Sequence, residues 1–213
     1  MNEKEFALPP NSYREIPFWS WNDRLNPTEL RRQIRLMKEG GWGGFFMHAR
    51  IGLKTPYMGK EWMERIRGCV EEAKALGMEA WLYDEDKWPS GFAGGLSVAA
   101  RPEQRAQYLI CKVDDRPAWL QERIITFLAR SHAGRLDEFV ADEKPALENS
   151  SERIVQFYTQ TMPLNDPWFN EYAYLSLLNP EAVQSFIEST HEVYRREIGM
   201  EFGKTVPGIF TDE

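Results

Sequence analysis

Short apolar runs alternate with longer stretches of helical period, and that alternation organises the chain. Residues 16–22 (IPFWSWN) form an apolar and aromatic run that reads as a strand. Asn26-Pro27-Thr28-Glu29 follows as a helix start, with Asn as N-cap, Pro at the first helical position and Glu placed to close a capping box. Leu30, Ile34 and Met37 then recur at helical spacing, and Gly40-Gly41 ends the helix. The unit repeats: residues 43–50 (GGFFMHAR) read as a second buried strand. Residues 60–76 read as a second helix with Trp62, Ile66, Cys69, Ala73 and Leu76 on one face, closed by Gly77. A third strand at 79–84 (EAWLYD) runs into the acidic loop Glu85-Asp86-Lys87-Trp88-Pro89. Asn179-Pro180-Glu181 repeats the helix start, and Val183, Phe186, Ile187, Tyr194 and Ile198 mark a third helical face. Residues 206–211 (VPGIFT) are the fourth strand, ending in Asp212-Glu213.

Strands separated by helices in this order demand parallel pairing, and so an α/β sheet. Between Pro89 and Asn179 the pattern breaks for about ninety residues, too long for a structureless loop in a compact domain. Within it, residues 108–113, 124–130, 136–140 and 154–160 read as β-rich segments parted by turn signals. The expected organisation is therefore strand-helix-strand-helix-strand over residues 1–95, a small antiparallel β insertion over 96–178, and a third helix and fourth strand over 179–213.

Composition narrows the function. With 42% hydrophobic and 28% charged residues the chain has material for a sizeable core. A net charge of -7 and a pI near 5.2 argue against a nucleic-acid partner, since no basic stripe replaces counterions along a phosphate backbone. Cys69 and Cys111 form no CxxC and no disulfide framework, which fits a reducing compartment. The N-terminal residues contain no apolar run of signal-peptide type, and no stretch approaches the roughly 20 apolar residues of a membrane span. The expectation is a soluble cytoplasmic protein with no membrane partner.

Chemistry decides between an open nucleotide-binding sheet and a barrel. The first strand leads into Trp21-Asn22-Asp23-Arg24, with no phosphate cradle. Gly91, Gly94 and Gly95 resemble such a cradle superficially, but they follow an acidic cluster that would repel a pyrophosphate, so no nucleotide is expected. A barrel gathers its polar functional residues at the C-terminal ends of its strands. The sequence puts them there: Trp19, Trp21 and Asn22 after the first strand, His48 and Arg50 after the second, Tyr83, Asp84, Glu85, Asp86 and Trp88 after the third, Asp212 and Glu213 after the fourth. The expected fold is the first half of a TIM (β/α)₈ barrel, four parallel strands and three helices, carrying the antiparallel β insertion after the third strand.

Glycoside hydrolysis needs one carboxylic acid to protonate the departing oxygen and a second carboxylate as base or nucleophile. Burial beside aromatic walls keeps such an acid protonated. Glu213 is the first choice for it, against the plainer reading of a solvated chain end. Asp84, Glu85 and Asp86 read either as a solvated turn or as a cluster for sugar hydroxyls or a calcium ion. His48 is either a satisfied core histidine or, beside Arg50, a hydroxyl ligand. His132 and His191 read as structural. Eight tryptophans suit stacking on pyranose faces, although each also suits a core. Neither HExxH nor GxSxG occurs.

The runs PFWSWND, GGFFMHARIGLKTPYMG and EAWLYDEDKWPSGFAGG resemble the N-terminal part of the catalytic barrel of glycoside hydrolase family 106, the bacterial α-L-rhamnosidase-like proteins. The resemblance covers residues 16–95 and again 179–213. It implies a (β/α)₈ barrel, inverting hydrolysis of an α-L-rhamnoside by two glutamates, and a calcium ion helping to hold the sugar, with no ligand assigned to it. It makes Glu213 a catalytic glutamate, and Trp21, His48, Arg50, Asp84 and Asp86 substrate-pocket residues. Proteins of that family are much longer. The resemblance therefore places the second catalytic carboxylate outside this sequence, implies little or no hydrolysis by the chain alone, and leaves open barrel edges that invite a homodimer. Two readings stand beside it: a non-catalytic carbohydrate-binding or structural half-barrel, and a barrel glycosidase acting on another sugar.

Overall fold

The computed structural model describes residues 3–116 and 123–212. They form a mixed α/β structure that divides into two compact units, one of residues 1–104 and 164–213 and the other of residues 105–163. The second unit is shorter than the expected 96–178 insertion, because residues 96–104 and 164–178 pack within the first.

The first unit opens with a short helix α1 (Glu3–Ala7) and then runs β1 (Phe18–Trp21), α2 (Pro27–Glu39), β2 (Gly44–Ala49), α3 (Lys60–Leu76), β3 (Glu79–Tyr83) and the short α4 (Leu96–Ala99). The second unit contributes β4 (Gln107–Asp114), β5 (Arg123–His132), β6 (Arg135–Ala141) and β7 (Glu152–Thr161). The chain then returns to the first unit as α5 (Pro180–Ser189), α6 (His191–Ile198) and β8 (Ile209–Phe210). Two sheets result: a parallel one in the order β1-β2-β3-β8, and an antiparallel one in the order β4-β7-β5-β6.

Local chemistry explains most of these boundaries. The Asn26 side chain accepts from the N–H groups of Thr28 and Glu29, capping α2 behind Pro27. The expected capping box does not close: Glu29 instead accepts from Arg32 at 2.7 and 2.8 Å and from Gln33 at 2.8 Å. The third helix is not one helix. Thr190 Oγ1 donates to the Phe186 carbonyl over 2.7 Å, competing with the helical ladder, and its backbone leaves helical geometry at φ -124°, ψ -77°. The fourth strand pairs only over Ile209 and Phe210, because Pro207 supplies no N–H and Gly208 lies so close to the Trp81 ring that a Cβ there would stand 2.9 Å from it.

The main core lies between the parallel sheet and its helices. Trp21, Ile34, Phe45, Met47, Trp62, Ile66, Leu82 and Tyr194 are all buried in it, and each such side chain contributes about 1.5–3 kcal/mol by leaving water. No helix among the described residues is long and apolar enough to cross a membrane.

Candidate functional site

Strand register decides which side chains share a face. Phe18 pairs with Phe46 and Ser20 with His48 across β1 and β2, Phe46 pairs with Trp81 on β3, and Tyr83 pairs with Phe210 on β8. Because strand side chains alternate, these residues form one face of the sheet. Phe18, Phe46 and Trp81 pack along it as tilted rings at centroid separations of 4.9 and 5.3 Å. Nearer the C-terminal ends, the His48 ring lies 4.1 Å from Tyr83, which stacks on Phe210 at 5.5 Å. Phe18, Ser20, His48, Arg50, Tyr83, Phe210 and Asp212 line a mouth of about 270 Å³ there.

Behind that mouth, two acidic residues are buried in a hydrogen-bonded knot. Asp84 and Glu85 are 0% and 2% exposed, and Ser90 joins them. Its hydroxyl lies 2.6 Å from Asp84 Oδ1 and 3.0 Å from Glu85 Oε1, and it accepts from the Asp212 N–H at 2.9 Å. Thr211 donates to Asp84 Oδ2 over 2.7 Å, and Tyr83 donates to Glu85 Oε2 over 2.7 Å. A serine hydroxyl has one hydrogen to give. Serving Asp84 with it leaves the Glu85 contact favourable only when Glu85 carries a proton of its own. The environment acts in that direction: burial pushes the Glu85 carboxyl above the usual range, helped by the charges of Asp212 and Asp84, although the Tyr83 and Ser90 hydrogen bonds oppose it.

His191 completes the knot from α6. Thr190 spends its hydroxyl hydrogen on Phe186, so its contact of 2.9 Å with His191 Nδ1 places the hydrogen on the ring nitrogen. His191 Nε2 then stands 3.2 Å from Asp84 Oδ2. His48 behaves differently. Burial, aided by the Arg50 charge, pulls its pKa down to about 4, and its Nδ1 is buried with no hydrogen-bond partner among the described residues. The imidazole is therefore neutral at neutral pH and its ring lines the cavity, while the unpartnered Nδ1 is itself closed off from solvent. The Tyr83 phenol is pushed well up by burial and by its bond to Glu85, so it stays a hydrogen-bond donor.

The structure brings together some of the residues named from sequence and separates others. His48, Arg50, Tyr83 and Asp212 meet at the mouth, with Asp84 and Glu85 directly behind. Asp86 lies to one side in a second cleft and accepts from Asn170 over 2.8 Å. Trp88 is half-exposed and lines neither cavity; its carbonyl accepts from Trp168 Nε1 over 2.6 Å. Asn22 is exposed in the loop after β1, its carbonyl pressed against Gly52. Trp19 and Trp21 are corrected: they lie on the opposite face of β1, inside the helix-side core, where Trp19 donates to Gln33 over 2.7 Å and Trp21 packs edge-on against Trp62 at 5.0 Å. Glu213 lies outside the described residues.

Phe18, Ser20, Ser90, Phe210 and Thr211 line the mouth or the knot behind it without having been singled out, and His191, read as structural, joins the knot. Alternation along β1 and β8 carried a signal for Phe18, Ser20 and Phe210, given the register. Ser90 reaches the site through the local fold of the loop after β3, and His191 through tertiary packing. The glycines after Ser90 have a packing role: Gly95 has φ +95°, and a Cβ there would stand 2.2 Å from the Tyr172 ring.

No protein-family model matches the chain, and no curated protein does. Among solved structures, a rhamnosidase from Novosphingobium sp. PP1Y is similar at a TM-score of 0.45 and 20% identity over 62% of this chain. The chain spans 16% of the length of that one, and a likeness at this level carries no argument about chemistry.

Proposed function

We propose that the mouth at the strand ends is a saccharide site of a glycoside hydrolase of the α-L-rhamnosidase type, with the parallel sheet forming part of a (β/α)₈ barrel. One observation carries the reading: an aromatic-walled cavity at the C-terminal ends of parallel strands, where ligands bind in such sheets, presents His48, Asp212 and Tyr83 together. The motif resemblance in residues 16–95 points the same way.

In this reading the Tyr83 and Phe18 rings take the apolar face of a sugar, while neutral His48 and the Asp212 carboxylate bond its hydroxyls. Glu85 acts through Tyr83, holding the phenol in place. Glu213, next to Asp212, is the carboxylic acid that protonates the departing oxygen. Calcium does not fit the described carboxylates: each oxygen of Asp84 and Glu85 already faces a hydroxyl of the chain, and no group of three or more acidic, His or Cys residues among the described ones is arranged around a metal.

A second reading, binding without cleavage, is favoured by one fact: among the described residues Asp212 is the sole carboxylate lining the mouth. Calorimetric titration of the chain with L-rhamnose, paired with an assay on an aryl α-L-rhamnoside, tests both. Saturable binding supports a saccharide site, and turnover on top of it decides for the hydrolase. Binding without turnover is the outcome common to the second reading and to a hydrolase whose other catalytic carboxylate lies outside this sequence, and no binding of rhamnose or any other neutral monosaccharide removes both.

A further inference from the structure

A second and larger cavity, of about 570 Å³, adjoins the mouth at Arg50, which lines both. Its walls carry three cationic side chains, Arg50, Lys54 and Lys87, against one carboxylate, Asp86. That balance is the reverse of the chain as a whole, which carries -7. Lys54 is already paired with Asp23 at 2.7 Å, and Asp86 is held by Asn170. Arg50 is exposed and has no ion-pair partner among the described residues. Lys87 sits 5.8 Å over the Trp168 ring, whose indole is fixed to the Trp88 carbonyl and faces the same cleft.

A planar guanidinium without an anion, opening on a cleft with a second cation and an anchored indole, is built to receive a carboxylate attached to a ring. We infer that this cleft holds the acidic neighbour of the sugar in the mouth: a uronic-acid unit, its carboxylate on Arg50 and Lys87 and its ring beside Trp168. The saccharide part of this assignment rests on the function proposed above; the anionic part does not. Arg50 stands at the junction, so the carboxylate is read within one sugar of the bond to be cleaved.

The test is calorimetric titration of the full chain with methyl β-D-glucuronide, methyl β-D-glucoside and inorganic sulfate, at low and at physiological salt. The expected result is uronide binding at least tenfold tighter than either comparison ligand, weakened by salt. Arg50→Gln should weaken it at least tenfold and Lys87→Gln at least threefold, both in exposed or half-exposed positions that leave the fold intact. Equal affinity for uronide and neutral glycoside, or no loss in either variant, overturns the inference. Sulfate binding as tightly as the uronide also overturns it, in favour of a bare anion site. Rhamnose failing to bind while uronide binding persists removes the reading of the mouth and leaves the cleft; the converse removes the cleft alone.

Discussion

The Ser90 hydroxyl stands 2.6 Å from the Asp84 carboxylate and accepts from the Asp212 N–H at 2.9 Å, and through these two contacts the loop after β3 is tied to the end of β8. Ser90 also exchanges backbone contacts with Asp212, whose carbonyl accepts its N–H at 3.1 Å. Replacing Ser90 by Ala strands a buried carboxylate oxygen and the Asp212 N–H together. The expected cost is about 2–3 kcal/mol, read from urea unfolding, with the loss of sugar affinity at the mouth accompanying it. A loss below about 0.5 kcal/mol would show that the knot contributes little.

His48 sets a pH dependence whose sign follows from its depressed pKa. The unfolded chain takes up a proton on this ring below its ordinary 6.5, while the folded one resists until about 4. The His48 contribution to stability is therefore complete above pH 6.5 and is lost as pH falls through that window, with a slope of at most about 1.4 kcal/mol per pH unit. Glu85 has the opposite sign: its raised pKa means the folded state keeps a proton the unfolded state has released, so its contribution declines as pH rises above the ordinary carboxylate range. Urea midpoints of the wild type and His48→Gln, compared from pH 7 down to pH 4, should converge toward acid. Parallel curves would contradict the burial argument.

Gly95 and Gly77 both adopt positive φ, yet alanine should cost different amounts at the two. Nothing lies within 4 Å of a Cβ at Gly77, so only the left-handed backbone resists, by about 1 kcal/mol. At Gly95 the Tyr172 ring is in the way, and the expected loss is about 2–4 kcal/mol. Thermal or urea unfolding of the two variants measures the difference directly.

Trp21 and Phe18 separate core from site. Trp21→Ala should destabilise the fold by about 3–5 kcal/mol while leaving sugar affinity of the folded protein within about twofold, since a twofold change is only ~0.4 kcal/mol. Phe18→Ala, at a half-exposed position, should do the reverse. Equal effects of the two on binding would put the indole back at the mouth.

The periodic elements were legible from sequence because their signals are local. α3 spans residues 60–76 as its apolar spacing requires, and the Asn-Pro starts of α2 and α5 are where the caps form. The face of β1 was not legible. Phe18, Trp19, Ser20 and Trp21 differ by single steps, and a one-residue change in register exchanges core for cavity; only pairing with β2 decides it. The break at Thr190 was hidden because Val183 through Ile198 keep a helical period across it, and the competing bond is a side-chain choice. Ser90 was missed because the fold of a loop, not a period, brings it back onto Asp84 and Glu85, and the reach of His191, read as structural, to Asp84 is set by a chain segment far away in sequence.

The central claim is that the strand-end mouth holds a sugar, and a crystal structure of the chain soaked with L-rhamnose tests it most directly. The account predicts a pyranose bounded by His48, Tyr83 and Asp212, with its apolar face on the Tyr83 or Phe18 ring. A rhamnose bound reproducibly elsewhere, with this mouth holding only solvent, would contradict it.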